Sequence, residues 1–169
     1  MTVMASQQRL ELLRAMPIFG GVSPAALSFI LNHSDENHHP RDSYFFCEGD
    51  KGDCVYVLQS GTALVERRWE DMPIILGRLR QGDCFGEMSL VDLQKRAASI
   101  RAESDCQAIR IPFRAFRLLC NQDMQQYTMV MMNLGREISR RLRVAGDRLF
   151  RFQQELGRQW FDDELTGDN

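Results

Sequence analysis

Apolar positions in the first forty residues recur at helical intervals. Leu10, Leu12, Leu13 and Met16 follow the polar Ser6-Gln7-Gln8 and predict a first helix, broken by Pro17 and the Gly20-Gly21 turn. Ser23 is placed to cap a second helix with Pro24 at its first position, and Ala26, Leu27, Ile30 and Leu31 supply its buried face. The polar stretch from Asn32 to Arg41 reads as a loop that ends this region. From Ser43 to Ile111 the period shortens to that of strands. Tyr44-Phe45-Phe46, Cys54 to Leu58, Thr62 to Val65, Met72 to Leu79, Ala98 to Ala102 and Cys106 to Ile111 form short apolar runs. Turn residues separate them: Glu48-Gly49-Asp50, Gln59-Ser60-Gly61 and Gly82-Asp83. Short strands at such close spacing predict an antiparallel barrel or jelly roll, not a parallel α/β sheet.

Helical spacing returns after Pro112 with Phe113, Phe116, Leu119 and Cys120. A long helix is then expected from Met124 to Leu156. Met131, Leu134, Ile138, Leu142, Ala145, Leu149, Phe152 and Leu156 succeed one another at intervals of three or four, as in a coiled-coil seam. Packing on the chain's own barrel accounts for the first half of that stripe equally well. Its second half outruns one small barrel and predicts a homodimer. The expected organisation is a single domain over 1–158, with the barrel at about 37–111, helices at about 112–158 and a disordered acidic tail at 159–169.

Composition fits one soluble domain: 169 residues, 44% hydrophobic and 26% charged. A net charge of -2 leaves no basic excess for bulk attraction to nucleic acid. Cys47, Cys54, Cys84, Cys106 and Cys120 are odd in number and lack C-x-x-C spacing, so free thiols in a reducing cytoplasm are expected. The N-terminal residues lack a signal peptide's apolar core, and no apolar run approaches the ~20 residues of a membrane span. His33, His38 and His39 cluster in the polar stretch with no carboxylate at ligand spacing, so they read as solvated loop histidines and no metal is expected. G-x-S-x-G and H-E-x-x-H are absent, and nothing supports an enzyme.

Chemistry concentrates in G-D-C-F-G-E-M-S-L-V-D-L-Q-K-R-A-A-S-I-R-A, Gly82 to Ala102. Gly86 permits an unusual backbone angle or a close ligand approach. Glu87 opens a short helix through Met88, Ser89 and Leu90, whose first N–H groups can face an anion. Nine residues on, Arg96 can make a bidentate contact to the same anion, and Ala97-Ala98 lets the backbone come close. A carboxylate beside an Arg-bound anion suits a ligand with both phosphate and hydroxyls, such as a sugar phosphate or nucleotide.

This segment resembles the phosphate-binding cassette of the cyclic-nucleotide-binding domain family, F-G-E-(L/M)-(A/S)-L followed by R-(A/S/T)-A-(S/T)-(V/I)-x-A. Pro17 to Leu27 resembles the family's helical entry, and Phe46 to Val65 its E-G-D turn and central hairpin. The likeness runs from about Met16 to Val144. It implies a mainly β fold, an antiparallel jelly-roll barrel (double-stranded β-helix) with N-terminal helices and a long C-terminal helix. It also implies site roles. Glu87 accepts the ribose 2′-hydroxyl, and Arg96 pairs with the cyclic phosphate, helped by N–H groups near Ser89, Ala97 and Ala98. Gly86 gives room beside the ribose, Met88 lies within the cassette, and Val65, Leu76 and Leu79 line the base pocket.

Departures qualify the specificity. Lys95 stands where the family commonly has Pro. The Thr-Ser pair with which some members contact adenine from the long helix is here Ala145-Gly146, after Arg140-Arg141-Leu142-Arg143-Val144. A lid contact must then come from apolar groups or Arg141. Ala97 cannot bond the guanine amino group as Thr or Ser does in the family, which favours cyclic AMP over cyclic GMP. No cofactor is implied beyond that ligand. Eleven residues follow Arg158, four acidic and none basic, so no helix-turn-helix and no DNA binding are expected. Two readings remain: a sensor that signals to an unidentified effector protein, or the same fold acting without ligand as an interaction module.

Overall fold

The computed structural model describes residues 6–70 and 72–166. The chain opens with helix α1 (Ser6–Ala15), a 3-10 turn at Pro17–Phe19 and helix α2 (Pro24–Asn32). Ser23 caps α2 as expected, its Oγ accepting from the Ala26 N–H at 3.2 Å. Eight strands follow: β1 (Asp35–His39), β2 (Tyr44–Phe46), β3 (Cys54–Ser60), β4 (Ala63–Trp69), β5 (Met72–Leu79), β6 (Cys84–Phe85), β7 (Ser99–Ala102) and β8 (Cys106–Pro112). Helix α3 (Met88–Asp92) lies between β6 and β7, and α4 (Phe113–Gln122) and α5 (Met124–Thr166) close the chain.

The strands form two four-stranded sheets, ordered β1-β8-β3-β6 and β2-β7-β4-β5, with every pairing antiparallel. The mainly β class with flanking helices holds. The sheets are not closed into a barrel, which corrects that part of the expectation. Contacts divide the molecule into one compact unit up to Leu134 and a second from Gly135 onward.

The first unit is layered. On β3, Val55 and Val57 face a cluster with Leu13, Phe19, Leu27, Ile30, Phe116, Leu119, Val130 and Leu134 from the helices. Cys54, Tyr56 and Leu58 face the other way, into a cluster with Phe45, Ala63, Leu79, Phe85, Ile100 and Ala102. Every β3 residue from Cys54 to Gln59 is therefore buried, which explains its unbroken apolar run. Asn133 anchors the start of α5 by donating to the carbonyls of Ile18 (3.3 Å) and Gly20 (2.8 Å).

The polar stretch read as a loop contains a strand. β1 pairs residue for residue with β8, from Asp35 opposite Arg110 to His39 opposite Cys106. His39 is consequently no solvated loop residue. Its ring stacks on Phe45 with centroids 3.8 Å apart, and its Nε2 is buried. His33 caps the end of α2, its Nδ1 2.8 Å from the Phe29 carbonyl oxygen. The helix α5 runs on through residues 159–166, the stretch expected to be a disordered tail; 167–169 lie outside the described residues.

Burial holds the His39 imidazole below its usual 6.5, with His38 adding to the effect and a backbone hydrogen bond at Tyr44 opposing it. The folded chain favours the neutral ring. The associated stability is complete above about pH 6.5 and is lost as the pH falls from there through the lower, folded value. The denaturant midpoint is therefore expected to drop between about pH 7.5 and about pH 5.5, and to drop less in His39→Gln.

Candidate ligand site

The strand β6 ends at Phe85, and Gly86 turns the chain into the cassette at φ +80°. A side chain there is excluded twice. The left-handed backbone disfavours any Cβ, and a Cβ would lie 2.5 Å from Arg96 Nη1 and 3.2 Å from the Cys54 carbonyl oxygen. Glu87 heads α3 and is 2% exposed; Ser89, the second residue of the helix, is 4% exposed. Met88 points outward and is exposed. After α3 the chain reverses at Leu93, itself at φ +59°, and returns through Arg96 into β7.

Arg96 is the centre of the arrangement. Only 4% of the residue is exposed, although its side chain carries a permanent charge. Nη1 donates to the Gly86 carbonyl at 2.7 Å and Nη2 to the Cys54 carbonyl at 2.8 Å. The guanidinium carbon lies 4.1 Å from the centroid of Phe46, an attractive placement for a cation over an aromatic face. The nearest counter-charge is Asp53 Oδ1 at 3.9 Å, and Asp53 is already engaged by Arg110 Nη2 at 2.6 Å. Burial pushes the neighbouring Cys54 thiol up from its usual value, with a hydrogen bond to Asp53 acting the same way, so it brings no negative charge. The Arg96 Nε–H is buried and has no hydrogen-bond partner among the described residues. Such a cation is under-compensated, and an anion is the group that would complete it.

The backbone fixes where that charge sits. The Arg96 N–H donates to the Asp50 carbonyl and the Gly49 N–H to the Arg96 carbonyl, both at 2.9 Å. These two bonds join the Glu48-Gly49-Asp50 turn to the cassette. Gly52 lets the two segments touch, because a Cβ there would lie 2.8 Å from Ser89 Oγ and closer still to Ser89 Cβ.

Of the other residues singled out in the sequence, Val65 and Leu79 meet at one inner cluster between the sheets. Leu76 does not join them. Between Gly77 opposite Val65 and Ile75 opposite Glu66, the pairing of β4 with β5 slips at Leu76, which is 47% exposed. Ala97 is exposed and Ala98 half-buried. Arg141 belongs to the second unit, where its Nε donates to Glu137 Oε1 at 2.8 Å. Phe46, Gly52, Asp53 and Cys54 were not singled out as site residues, yet all surround Arg96. The signal was the run Glu48-Gly49-Asp50-Lys51-Gly52-Asp53, whose glycines and acids exceed what a turn needs. Among the described residues no group of three His, Cys, Asp or Glu side chains could hold a metal ion, and no helix is long and apolar enough to cross a membrane.

Comparison with known proteins agrees with this geometry. The family model described as "Cyclic nucleotide-binding domain" matches residues 36–123. The cAMP-activated global transcriptional regulator CRP of Salmonella typhimurium is 30% identical over 125 residues, covering 73% of this chain and 58% of that protein. The cAMP-dependent protein kinase regulatory subunit of Emericella nidulans is 31% identical over 107 residues, covering 63% and 26%. This chain thus spans less than two thirds of the length of these curated relatives. A cyclic nucleotide-binding domain crystallised from Methylobacillus flagellatus superposes with a TM-score of 0.75 at 23% identity, over 85% of this chain and 82% of that one, and shares the fold.

Proposed function

Because the chain belongs to the cyclic nucleotide-binding domain family, we propose that it is a sensor module that binds a cyclic mononucleotide, cyclic AMP ahead of cyclic GMP, and signals to a partner protein. The buried Arg96 guanidinium with its unpartnered Nε–H carries this reading. A cyclic phosphate supplies the missing acceptor and counter-charge. Its negative charge meets Arg96 away from bulk water, where a charge-assisted bond is strongest. Backbone N–H groups near Ser89, Ala97 and Ala98 assist. Glu87 accepts the ribose 2′-hydroxyl, and the base extends toward Val65 and Leu79.

The choice of base rests on Ala97, which has no hydroxyl to receive the guanine amino group. The names of the two curated relatives both carry cAMP, in keeping with that choice. Movement of the long helix on binding passes the change on. Calorimetric titration with both cyclic nucleotides tests the reading. Binding of cyclic AMP tighter than cyclic GMP is expected. Absence of heat with either would leave the ligand-independent interaction module in its place.

Glu87→Ala is expected to weaken cyclic AMP binding by roughly 1.5–3 kcal/mol, the range for one hydrogen bond to a charged group, when titrated beside the wild type. A homodimer through α5 belongs to the same proposal. In the second unit Leu142, Leu149 and Phe152 are 71%, 59% and 57% exposed, a continuous stripe that a second copy would cover. Sedimentation at micromolar concentration should give about twice 19.5 kDa. Leu149→Glu should give the monomer mass.

A further inference from the structure

We infer that Arg110 is a positioning residue for the ligand site: by holding Asp53, it keeps that carboxylate from docking on Arg96 in the place of a phosphate. The inference rests on the proposed cyclic-nucleotide site and names what keeps Arg96 available to a ligand. Asp53 immediately precedes β3, and its backbone is pinned, since its carbonyl accepts from the Phe113 N–H at 2.8 Å. Its carboxylate stands between two arginines from different segments. Oδ2 accepts from Arg110 Nη2 at 2.6 Å, and Oδ1 lies 3.9 Å from Arg96 Nη2. Among the described residues these are the two cations within 4.0 Å of it. The first contact is a charge-assisted hydrogen bond, and the second stops about 1 Å short of one. Rotation of the Asp53 side chain, which is 64% exposed, can close that gap while the backbone stays in place.

The consequence falls on Nη2 of Arg96. Nη1 already donates to the Gly86 carbonyl and Nη2 to the Cys54 carbonyl. A phosphate that takes the buried Nε–H also reaches for Nη2, its neighbour on the same edge of the guanidinium. Asp53 at bonding distance would occupy Nη2 and neutralise the charge as well. A ligand would have to displace it. Apparent affinity then falls in proportion to the fraction of molecules in which Arg96 is accessible.

Arg110 opposes that swing from a fixed position. It lies on β8, paired through the backbone with Asp35 of β1 on one side and Tyr56 of β3 on the other. Its Nη1 is 3.6 Å from Asp35 Oδ2, so its close partner is Asp53. The Arg110 side chain is only 26% exposed, and water competes for it poorly. Arg96, by contrast, is already engaged by two carbonyls and by the face of Phe46. The Asp53 carboxylate is therefore better held by Arg110. Without Arg110, Arg96 is the cation left in reach.

Calorimetric titration of cyclic AMP into full-length wild type, Arg110→Gln, Asp53→Asn and the double variant tests the role, with unfolding curves beside it. Arg110→Gln should weaken binding roughly three- to fivefold, the range for one partly exposed ion pair formed in competition. Asp53→Asn should bind at least as tightly as the wild type. In that background Arg110→Gln should change affinity by less than about twofold, because the carboxylate it restrained is gone. Arg110→Lys should recover most of the loss, since an ammonium can still hold Asp53. The Arg96 Nε–H resonance gives a readout without ligand: it should shift in Arg110→Gln and return in the double variant. An arginine that only attracts the ligand by its own charge, or only props the sheet, would cost the same affinity in both backgrounds. That result, an unaffected Arg110→Gln or an unmoved resonance overturns the inference and leaves the site standing. Absence of heat with the wild type overturns the sensor reading and this role together.

Discussion

Arg96→Ala is expected to lower affinity for cyclic AMP at least a hundredfold, about 3 kcal/mol or more, the cost of removing one partner from a buried charge pair. The residue is almost wholly enclosed, so neither solvent nor a neighbouring side chain can take over its charge. Arg96→Lys should recover little of the loss. A lysine offers one ammonium in place of a planar fork, and it cannot at once reach the Gly86 and Cys54 carbonyls and an anion. Titration of the three proteins beside their unfolding curves separates binding from folding. An Arg96→Ala protein that folds and still binds cyclic AMP like the wild type would place the site elsewhere.

Gly86→Ala carries the second large effect, and it acts on stability and binding together. At φ +80° an alanine costs roughly 1–2 kcal/mol in the backbone alone. Its methyl would also sit 2.5 Å from Arg96 Nη1, so the guanidinium must move off the Gly86 and Cys54 carbonyls. A lowered urea midpoint is expected, with affinity for cyclic AMP reduced at least tenfold, about 1.4 kcal/mol. Gly77→Ala serves as the control, because a Cβ at that position meets nothing within 4 Å and its φ is ordinary. If Gly86→Ala matched that control in both measurements, the tight approach of Gly86 to Arg96 would have no part in binding.

The cassette was legible in sequence because its chemistry depends on residue types at fixed spacing: a glycine, a glutamate and, nine residues on, an arginine. The central strands were legible for a similar reason, since burial of β3 on both faces leaves an apolar run. Asp35-Glu36-Asn37-His38-His39 offered no such signal. It is a strand because β8 presents a ladder of backbone donors and acceptors at that edge, a tertiary cause that propensity does not register. Leu76 misled for a comparable reason, because a register slip between two strands is invisible in either one alone. The enclosure of Arg96 by Phe46, Asp53 and Cys54 likewise joins segments more than forty residues apart. Its acceptors are largely backbone carbonyls, which every residue type supplies.

The two backbone bonds between residue 96 and the Glu48-Gly49-Asp50 turn have an evolutionary consequence. They involve the N–H and carbonyl of position 96 and nothing beyond its Cα. Any residue but proline can make both. A descendant of this chain could therefore exchange the arginine and lose its ligand while the turn and the cassette stay clasped in the same shape. Copies of the gene freed from sensing would keep a folded surface on which selection for contact with other proteins could work at once.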